Sequence, residues 1–442
     1  MSAYRRAGVS RLTFGVWRFG LIRCRRSRSI PLDYHMSLFV QKYGGTSVGS
    51  TDRILNVARR ILATQAKGHQ VVVVVSAMSG VTDNLIKLAR QVAPHPAEQE
   101  MDVLLATGEQ TTIALTAMAI NGLGGHAVSL TGAQAGIVTD GVHTRAKIAN
   151  ITPKRIHALL DEGNIVIVAG FQGESLEGRI TTLGRGGSDL TAIALAAAIK
   201  ANLCQIFTDV EGVYTCDPRI VKSARKLPEI SYDEMLEMAS LGSRVMQSRS
   251  VEFAKKFRVL FEVRSSFNEE PGTLVKEETT RMEHVVIRGI SVDRKQAKVT
   301  VSHVPDRPGV ASRIFTEIAA IGVNVDMIVQ NVSAAGTTDI TFTTNAEELH
   351  KMEKHLDPIV QEIGAKGFLA QGGVAKLSVV GIGMRSHSGV AARMFELLGK
   401  AGINIQMIST SEIKISVIVD EDRVDEGANI IHTGFGLDYS QP

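Results

Sequence analysis

Residues 37–47 read SLFVQKYGGTS, and this stretch sets the pattern that organises the chain. A short apolar run ends at Lys42, two consecutive glycines follow, and a helical pattern begins near Asp52. Glycines at a strand end let backbone N–H groups approach a phosphate closely, and the start of the next helix adds the positive end of its dipole. The spacing is not that of the GxxxxGK[ST] phosphate loop. Taken alone, the stretch is typical of either a phosphate-binding turn or an ordinary tight turn.

The same alternation of short apolar runs and helical patterns continues to about residue 275. Residues 71–75 are apolar at every position, which is typical of a parallel strand covered on both faces. Strand–helix alternation predicts an α/β domain of three layers around a mostly parallel sheet. The predicted strands are residues 39–41, 71–75, 127–130, 165–169, 205–208 and 260–263, and the helical patterns include residues 52–66 and 188–201.

Beyond residue 277 the chain contains an internal repeat, in which eight residues recur at a constant offset of 80 positions. They are Gly309, Val310, Ala311, Arg313, Phe315, Gly322, Asn324 and Met327, which recur as Gly389, Val390, Ala391, Arg393, Phe395, Gly402, Asn404 and Met407. Each copy follows the order strand, turn, helix, glycine and strand, which predicts two ferredoxin-like βαβ modules. A purely structural duplication and a pair of small-ligand sensors both explain the repeat at this point.

The composition argues against several classes of protein. The 442 residues are 44% hydrophobic and 21% charged, an ordinary balance for about two to four globular domains. The three cysteines lie far apart without CxxC spacing, which disfavours a disulfide scaffold and a structural zinc site. The His, Asp and Glu residues show no metal-ligand spacing, so no protein-only metal site is predicted. Outside the first 35 residues no apolar stretch reaches about 18 residues, so no membrane-spanning helix is expected.

Residues 1–35 form a basic leader that accounts for the net charge of +4. The leader holds eight arginines and one acid, so the rest of the chain is mildly acidic and a nucleic-acid partner is not predicted. Its Arg-rich composition is compatible with an organellar transit peptide, whereas Arg18 and Arg23 interrupt every apolar run that a secretory signal needs. We expect a dispensable extension, translation from Met36 and a cytoplasmic location; a transit peptide and a binding arm are the alternatives.

Further loops with chemical character follow the predicted strands. Residues 184–189, GRGGSD, place an arginine among glycines before a helical pattern, and its planar guanidinium suits a carboxylate or a phosphate. A capped helix beside a solvated arginine is the plain alternative. Residues 208–219, TDVEGVYTCDPR, form a polar loop at a strand end, where the ligands of open α/β sheets gather. Weaker signals are residues 76–78 with Thr82, and residues 107–109, in which Glu109 suits a substrate ammonium group.

Together these loops favour phosphoryl transfer. Two of them are suited to anions, and all are predicted at the strand ends of one sheet. Hydride transfer is disfavoured because no GxGxxG motif follows the first strand.

In their order along the chain, the motifs KYGGTS, SAM, TGE, GRGGSD and VYTCDPR resemble those of aspartokinases, and the repeat resembles the tandem ACT domains that end those enzymes. The resemblance covers nearly everything from Met36 onward and is closest to the monofunctional enzymes. It implies an amino-acid-kinase domain over residues 36–277, a first ACT domain over 278–373 and a second over 374–442. It also implies transfer of the ATP γ-phosphoryl group to L-aspartate, the first step towards lysine, threonine and methionine. Mg²⁺ would be held mainly by the nucleotide phosphates.

The resemblance implies a role for each matching residue. Lys42 and Asp189 are the expected catalytic pair, in which Asp189 orients Lys42. The nucleotide and its phosphates are expected to contact Lys42, Tyr43, Gly44, Gly45, Ser47, Phe207, Thr208, Asp209, Val213, Tyr214, Thr215, Cys216, Asp217, Pro218, Arg219 and Arg244. Aspartate is expected to contact Ser76, Thr82, Glu109, Arg185, Gly186, Gly187 and Ser188. Arg185 would clamp the α-carboxylate, and Arg244 replaces a lysine that is common in the family.

The ACT pair implies feedback inhibition by lysine or threonine, bound between the modules of two chains, and hence a homo-oligomer. The expected effector residues are Asp306, Pro308, Gly309, Asn324, Val325, Asp326, Gln330 and Asn331. In the second module, residues 386–389 replace the Asp-x-Pro-Gly turn, which leaves ligand binding there open. Met282 lies where a shorter regulatory product would start. A non-catalytic amino-acid sensor and a kinase of another small carboxylate are the alternatives.

We expect a chain that starts at Met36 to fold and to keep its activity, because the strand pattern begins directly after that residue. Circular dichroism, thermal unfolding and steady-state kinetics of the full and shortened chains check this expectation. A shortened chain that unfolds, or that loses turnover, would show that the leader belongs to the folded protein.

Overall fold

The computed structural model describes residues 37–240, 246–278, 286–331, 336–385 and 387–439. The basic leader, Met36, Arg244, Met282 and Ser386 lie outside these residues, so the expectations for them stay predictions. The described chain comprises an N-terminal α/β part and a C-terminal part built on one antiparallel sheet.

The N-terminal part alternates strands and helices. Its strands are β1 Leu38–Tyr43, β2 Gln70–Val75, β3 Ala127–Leu130, β4 Ile137–Thr139, β5 Ile148–Ile151, β6 Ile165–Ala169, β7 Gln172–Ser175, β8 Ile180–Thr182, β9 Leu203–Thr208, β10 Glu229–Ser231, β11 Phe261–Ser265 and β12 Thr273–Lys276. Its helices are α1 Thr51–Ala66, α2 Val81–Val92, α3 Glu98–Gly122, α4 Lys154–Asp161, α5 Gly187–Ala198, α6 Tyr232–Ser240 and α7 Ser248–Phe257.

The main sheet has eight strands in the order β10-β12-β11-β9-β1-β2-β6-β3. All neighbouring pairs are parallel except β11 with β12. The central strands β2 and β6 are buried along almost their whole length, as their uninterrupted apolar sequences predict. Helices α1 and α3 pack on one face, and α4 and α5 pack on the other. The predicted three-layer α/β fold is confirmed.

A smaller sheet of four strands, β5-β4-β7-β8, was not predicted from the sequence. Its strands are only three or four residues long and mix polar with apolar residues, so they carry no readable period. The buried Asp102 connects this sheet to α3. It accepts a hydrogen bond from Thr182 Oγ1 at 2.5 Å and another from the Thr144 N–H at 3.0 Å. The small sheet therefore fixes the start of the GRGGSD loop.

Helix α3 is the one described helix that is long and apolar enough to cross a membrane by length and composition. Half of its most apolar window is buried inside the protein, where the helix packs against α1, α2 and β3. Core helices of globular proteins pass the same test, so the observation is weak evidence for a membrane span.

The described residues of the C-terminal part form six strands and four α-helices. The strands are β13 Gly289–Pro305, β14 Val325–Gln330, β15 Thr337–Asn345, β16 Gly367–Val380, β17 Met407–Thr410 and β18 Lys414–Asp420, and the helices are α8 Val310–Ala320, α9 Leu349–Ile363, α10 Val390–Lys400 and α11 Val424–Gly434. The strands form one antiparallel sheet in the order β14-β15-β13-β16-β18-β17. Gly309 and Gly389 precede α8 and α10 with the same φ of 94°, so the repeat in sequence is a repeat in structure.

The second repeat module also includes a segment that precedes the first module in the sequence. The second half of β13 pairs with β15, while its first half pairs with the second half of β16. Ile287 and Ile290 consequently lie in one core with α10 and α11. Residues 286–293 therefore belong to the second module, although the sequence division assigns them to the first.

Candidate active site

The loops singled out in the sequence meet at one edge of the main sheet. Strands β2, β1 and β9 are parallel neighbours, so their carboxyl ends lie side by side. The Ser76 N–H donates to the Tyr43 carbonyl oxygen at 3.1 Å, which joins the loops after β2 and β1. The Gly44 N–H donates to the Phe207 carbonyl oxygen at 3.3 Å, which joins the glycine loop to β9.

Lys42 and Asp189 form a buried ion pair at this edge. The Lys42 Nζ atom lies 2.5 Å from Asp189 Oδ1, and only 10% and 12% of the two side chains are exposed. Asp189 lies in the first turn of α5, directly after the GRGG sequence. Because each charge is nearly closed to water, each depends on the other for its compensation. The structure thus brings together the two residues that are expected to form the catalytic pair.

The glycine loop packs closely against its neighbours, and Gly45 leaves no room for a side chain. A Cβ atom at Gly45 would lie 2.9 Å from the Ala77 carbonyl oxygen, and one at Gly44 would lie 3.4 Å from Lys42 Nζ. The bare backbone therefore stays close to the Lys42 ammonium group, as a phosphate-binding turn requires. Ser47 follows the loop, and its Oγ atom is hydrogen-bonded to Ser266 Oγ at 2.9 Å.

Glu109 is a buried carboxyl group with one free oxygen. Its Oε1 atom accepts a hydrogen bond from the Ala77 N–H at 3.0 Å, whereas Oε2 is buried and has no hydrogen-bond partner among the described residues. Burial raises the pKa of Glu109 to about 7, against the lowering effect of the Ala77 N–H. A buried oxygen without a partner is unusual in a folded protein and points to a ligand that completes it.

Arg185 lies on a sharply bent loop. Gly184 and Gly186 on either side have positive φ values of 77° and 68°, which glycine adopts at little cost. The Arg185 side chain is exposed and forms no hydrogen bond or ion pair with any residue that the structure describes. Its charge reaches Glu347 of the first module, where it adds to the stronger effect of Lys295 in lowering the pKa of that carboxyl group.

The remaining residues expected to bind aspartate lie in α5, in α2 and directly after β2. Gly187 starts α5, and a Cβ atom there would lie 2.9 Å from the Leu183 side chain. Ser188 is buried behind Gly170, where a Cβ atom would lie 2.7 Å from its hydroxyl oxygen. Ser76 and Thr82 are half-buried, the first after β2 and the second in the first turn of α2.

A cavity of about 540 Å³ lies beside the end of β9. Half of the sixteen expected nucleotide residues line it, namely Thr208, Asp209, Val213, Tyr214, Cys216, Asp217, Pro218 and Arg219. Asp217 and Arg219 form an ion pair at its rim, and the hydrogen bonds from Arg219 are the main reason that the pKa of Asp217 is lowered. Both apolar and charged side chains line the cavity. The apolar side chains suit a nucleotide base, and the charged ones suit its polar groups and phosphates.

Seven described residues of the expected nucleotide set do not line this cavity: Lys42, Gly44, Gly45 and Ser47 belong to the glycine loop, and Tyr43, Phe207 and Thr215 are buried. Tyr43 is fully buried, burial raises the pKa of its hydroxyl, and its ring stacks on Phe207 with centroids 4.6 Å apart. Arg60 and Arg264 lie over the Phe207 ring at 5.1 and 5.6 Å from its centroid. Thr215 is buried as well, and its Oγ1 atom is hydrogen-bonded to His432 rather than directed at the cavity. The motifs alone do not show which way a side chain points.

Sequence reasoning missed part of the cavity wall. Met238 of α6 and residues 290–292 of β13 line the cavity together with the predicted loop. These residues are distant in sequence from the kinase motifs, and apolar strand residues carry no signal of a ligand. Only the three-dimensional packing of β13 against α6 and the loop after β9 identifies them.

The predicted effector residues are exposed except for the half-buried Val325, and they do not all lie together within one chain. Asp306, Pro308 and Gly309 form the turn before α8, near the end of β14 that carries Gln330 and Asn331. Asn324 and Val325 lie at the opposite end of β14. Asp326 is already paired with Lys376 of β16. One chain therefore offers two partial clusters instead of one closed site.

Known families match three stretches of the chain. Residues 37–261 match the amino acid kinase family, and residues 299–360 and 377–435 each match the ACT domain. These limits agree with the α/β part and with the two modules described above.

Relatives of known activity span nearly the whole described chain. The aspartate kinase of Pseudomonas putida is 53% identical over 404 residues, which cover 91% of this chain and 98% of the relative. The aspartokinase of Mycolicibacterium smegmatis is 50% identical over 407 residues, which cover 91% of this chain and 97% of the relative.

Solved structures show the same fold. The aspartate kinase from Synechocystis matches with a TM-score of 0.51 at 42% identity, covering 92% of this chain and 70% of that one. Aspartokinase III of E. coli, solved in complex with aspartate and ADP, matches with a TM-score of 0.75 at 24% identity, covering 90% of this chain and 99% of that one. The buried Lys42–Asp189 pair, the two ACT modules and relatives that are half identical over nine-tenths of the sequence lead to one conclusion. The chain belongs to the aspartate kinase family.

Proposed function

We propose that this protein transfers the γ-phosphoryl group of ATP to the side-chain carboxylate of L-aspartate, giving 4-phospho-L-aspartate. The observation that carries the proposal is the buried Lys42–Asp189 pair, which lies at the sheet edge shared by Glu109 and the loop that lines the nucleotide cavity. Family membership supports the same reaction, because the curated relatives are aspartate kinases. The product supports the synthesis of lysine, threonine and methionine.

The chemistry needs charge neutralisation and alignment more than acid–base catalysis. The acceptor carboxylate is ionised at neutral pH, so no general base has to remove a proton from it. Transfer of a phosphoryl group instead develops negative charge on oxygens that positive groups and backbone N–H groups must stabilise. Lys42 supplies a full charge, Asp189 holds its position, and the bare backbone at Gly44 and Gly45 lies beside it.

Glu109 and Arg185 match the two ends of a free amino acid. The unpartnered Glu109 oxygen suits the α-ammonium group, and the exposed Arg185 guanidinium suits the α-carboxylate in a bidentate contact. A ligand with both charges would complete both groups at once, which leaves the side-chain carboxylate of aspartate to face Lys42.

Magnesium enters as part of the MgATP substrate. Among the described residues no group of three or more His, Cys, Asp or Glu side chains lies close enough to hold a metal ion. Asp189 is engaged by Lys42. The nucleotide phosphates are then the main ligands of the ion, and its charge adds to that of Lys42.

Regulation by lysine or threonine through a homo-oligomer is the second part of the proposal. E. coli aspartokinase III has been solved in complex with lysine and aspartate. In the present chain β14 and β17 are the two edges of the six-stranded sheet, and the apolar side chains of Ile328 and Ile408 on them are 53% and 44% exposed. An exposed edge strand with apolar residues favours pairing with a second chain. Such pairing would bring the two partial effector clusters of different chains together.

The experiment that tests the function is aspartyl hydroxamate formation with ATP and Mg²⁺, without an effector, with lysine, with threonine and with both. We expect ATP-dependent product with aspartate and lower turnover with at least one effector condition. ATP binding without turnover of aspartate would favour another small carboxylate as the acceptor. Absence of ATP binding would favour a non-catalytic sensor.

We predict that Lys42→Ala lowers kcat by about 10²–10⁴-fold, because a charge that stabilises the transition state is removed. Steady-state rates at saturating ATP and aspartate measure the effect, and circular dichroism checks that the variant is folded. Lys67→Ala, at the exposed end of α1, is the matched control and is expected to leave kcat unchanged. Near-normal turnover in a folded Lys42→Ala variant would remove this lysine from the mechanism.

We also predict that the KM for aspartate depends on the protonation of Glu109. With a pKa of about 7 in the free enzyme, this carboxyl group is mostly neutral below that pH and mostly charged above it. Only the charged form attracts the substrate ammonium group, so the KM for aspartate should fall as the pH rises from about 6 to 8.

Glu109→Gln should raise the KM for aspartate and remove its pH dependence in that interval. Glu100→Gln is a matched control, since Glu100 lies exposed in the first turn of the same helix. A pH profile that is the same in Glu109→Gln and in the unmodified enzyme would contradict the assignment of Glu109.

A further inference from the structure

The second ACT module forms part of the nucleotide cavity. Residues 290–292 of β13, which pair with β16 in that module, line the cavity together with Tyr214 and Cys216. The Ile290 N–H donates to the Thr215 carbonyl oxygen at 2.7 Å, so strand and loop are joined through the backbone. The cavity is therefore built by two parts of the chain, and its shape depends on how they are held together.

The loop that lines the cavity is anchored on the C-terminal helix α11 and the residues after it. The Arg225 Nε–H donates to the Leu437 carbonyl oxygen at 2.9 Å. Ser223 Oγ donates to Asp438 Oδ1 at 2.5 Å. In addition, Cys216 and Val221 lie in the apolar core of the second module. The loop thus belongs to the catalytic part in sequence but packs as an element of the second module.

His432 lies at the centre of this anchor. Its side chain is fully buried in α11, with Nδ1 at 2.7 Å from Asp438 Oδ1 and Nε2 at 2.9 Å from Thr215 Oγ1. Burial lowers the pKa of His432 and outweighs the opposite effect of Asp438, so the ring is neutral near physiological pH. With the Nδ1–H donated to the Asp438 carboxylate, Nε2 is the acceptor for the Thr215 hydroxyl group.

Thr215 faces away from the cavity, although its neighbours Tyr214 and Cys216 line it. Its hydroxyl oxygen also accepts a hydrogen bond from the Arg225 N–H at 2.9 Å, which closes the loop on itself. Removing this hydroxyl therefore deletes no contact with a ligand. An effect of its removal on nucleotide binding has to act through the position of the loop.

We propose that His432 is a positioning residue for nucleotide binding: by holding Thr215, it fixes the loop that lines the nucleotide cavity onto the second ACT module. The identity of the nucleotide as ATP rests on the proposed function. The hydrogen bond from Thr215 to His432 sets the affinity for MgATP, while the aspartate site at Glu109 and Arg185 is untouched by it.

Three variants of the full chain test this role. Thr215→Val keeps the shape of the side chain and removes the hydroxyl, His432→Leu removes the acceptor, and His432→Gln returns a polar group near the position of Nε2. We expect the first two to raise the KM and the Kd for MgATP by about 3–10-fold, as the loss of one buried hydrogen bond would. The kcat and the KM for aspartate should stay close to normal, and His432→Gln should recover part of the loss.

Asn121→Ala is the matched control for general destabilisation. Asn121 at the end of α3 makes two hydrogen bonds to the backbone of Ala127, at the amino end of β3 and thus at the opposite edge of the sheet. It should lower the melting temperature without changing the KM for MgATP. If Thr215→Val and His432→Leu also lower only the melting temperature, the link is structural and the proposal is overturned.

The measurements separate this proposal from the proposed function. The Kd for MgATP is measured by calorimetry without aspartate, so it reports on the loop whatever the acceptor is. An unmodified protein that does not bind MgATP would refute both. An unmodified protein that phosphorylates aspartate, with variants that bind MgATP equally well, would refute the role of His432 alone. If His432→Leu does not fold, the Kd for MgATP of the conservative variant Thr215→Val tests the proposal.

Discussion

The attraction between Lys42 and Asp189 is the interaction on which the catalytic part depends. An ion pair that is nearly closed to water is stable only while both partners are present, since loss of one leaves a buried charge at a cost of about 3–5 kcal/mol. The end of β1 and the first turn of α5 must therefore stay in contact, and α5 permits this because most of its buried residues are small. The glycine loop and the GRGGSD loop meet at this junction, so the pair fixes both.

Much of this arrangement could be predicted from the sequence because it is local. Glycines beside a charged residue at a strand end indicate the phosphate loop, and uninterrupted apolar runs indicate β2 and β6. The sequence does not predict which way each side chain points or which residues it contacts. Tyr43, Phe207 and Thr215 lie within the expected motifs, but burial and stacking turn their side chains away from the cavity. Position along a chain does not determine which face a loop residue presents.

The pairing of β13 with β16 explains why the sequence division assigns residues 286–293 to the first module. Repeat units are expected to follow one another, and the offset of 80 residues suggests two such units. Antiparallel pairing places the first half of β13 beside the second half of β16. One segment of the second module therefore precedes the first module in the sequence. Such pairing between distant segments leaves no periodic signal in either strand. The same pairing brings residues 290–292 to the nucleotide cavity, although they belong to none of the kinase motifs.

The two modules reach different substrate regions of the same chain. The charge of Arg185, on the loop expected to hold aspartate, reaches Glu347 of the first module. The second module contributes part of the wall of the nucleotide cavity and holds the loop that lines the same cavity. Both modules share β13 and β16, whose pairing shifts register between residues 293 and 298, where one module passes into the other. The two modules therefore form one six-stranded sheet, and we expect a shift of either module to be passed through that sheet to the other.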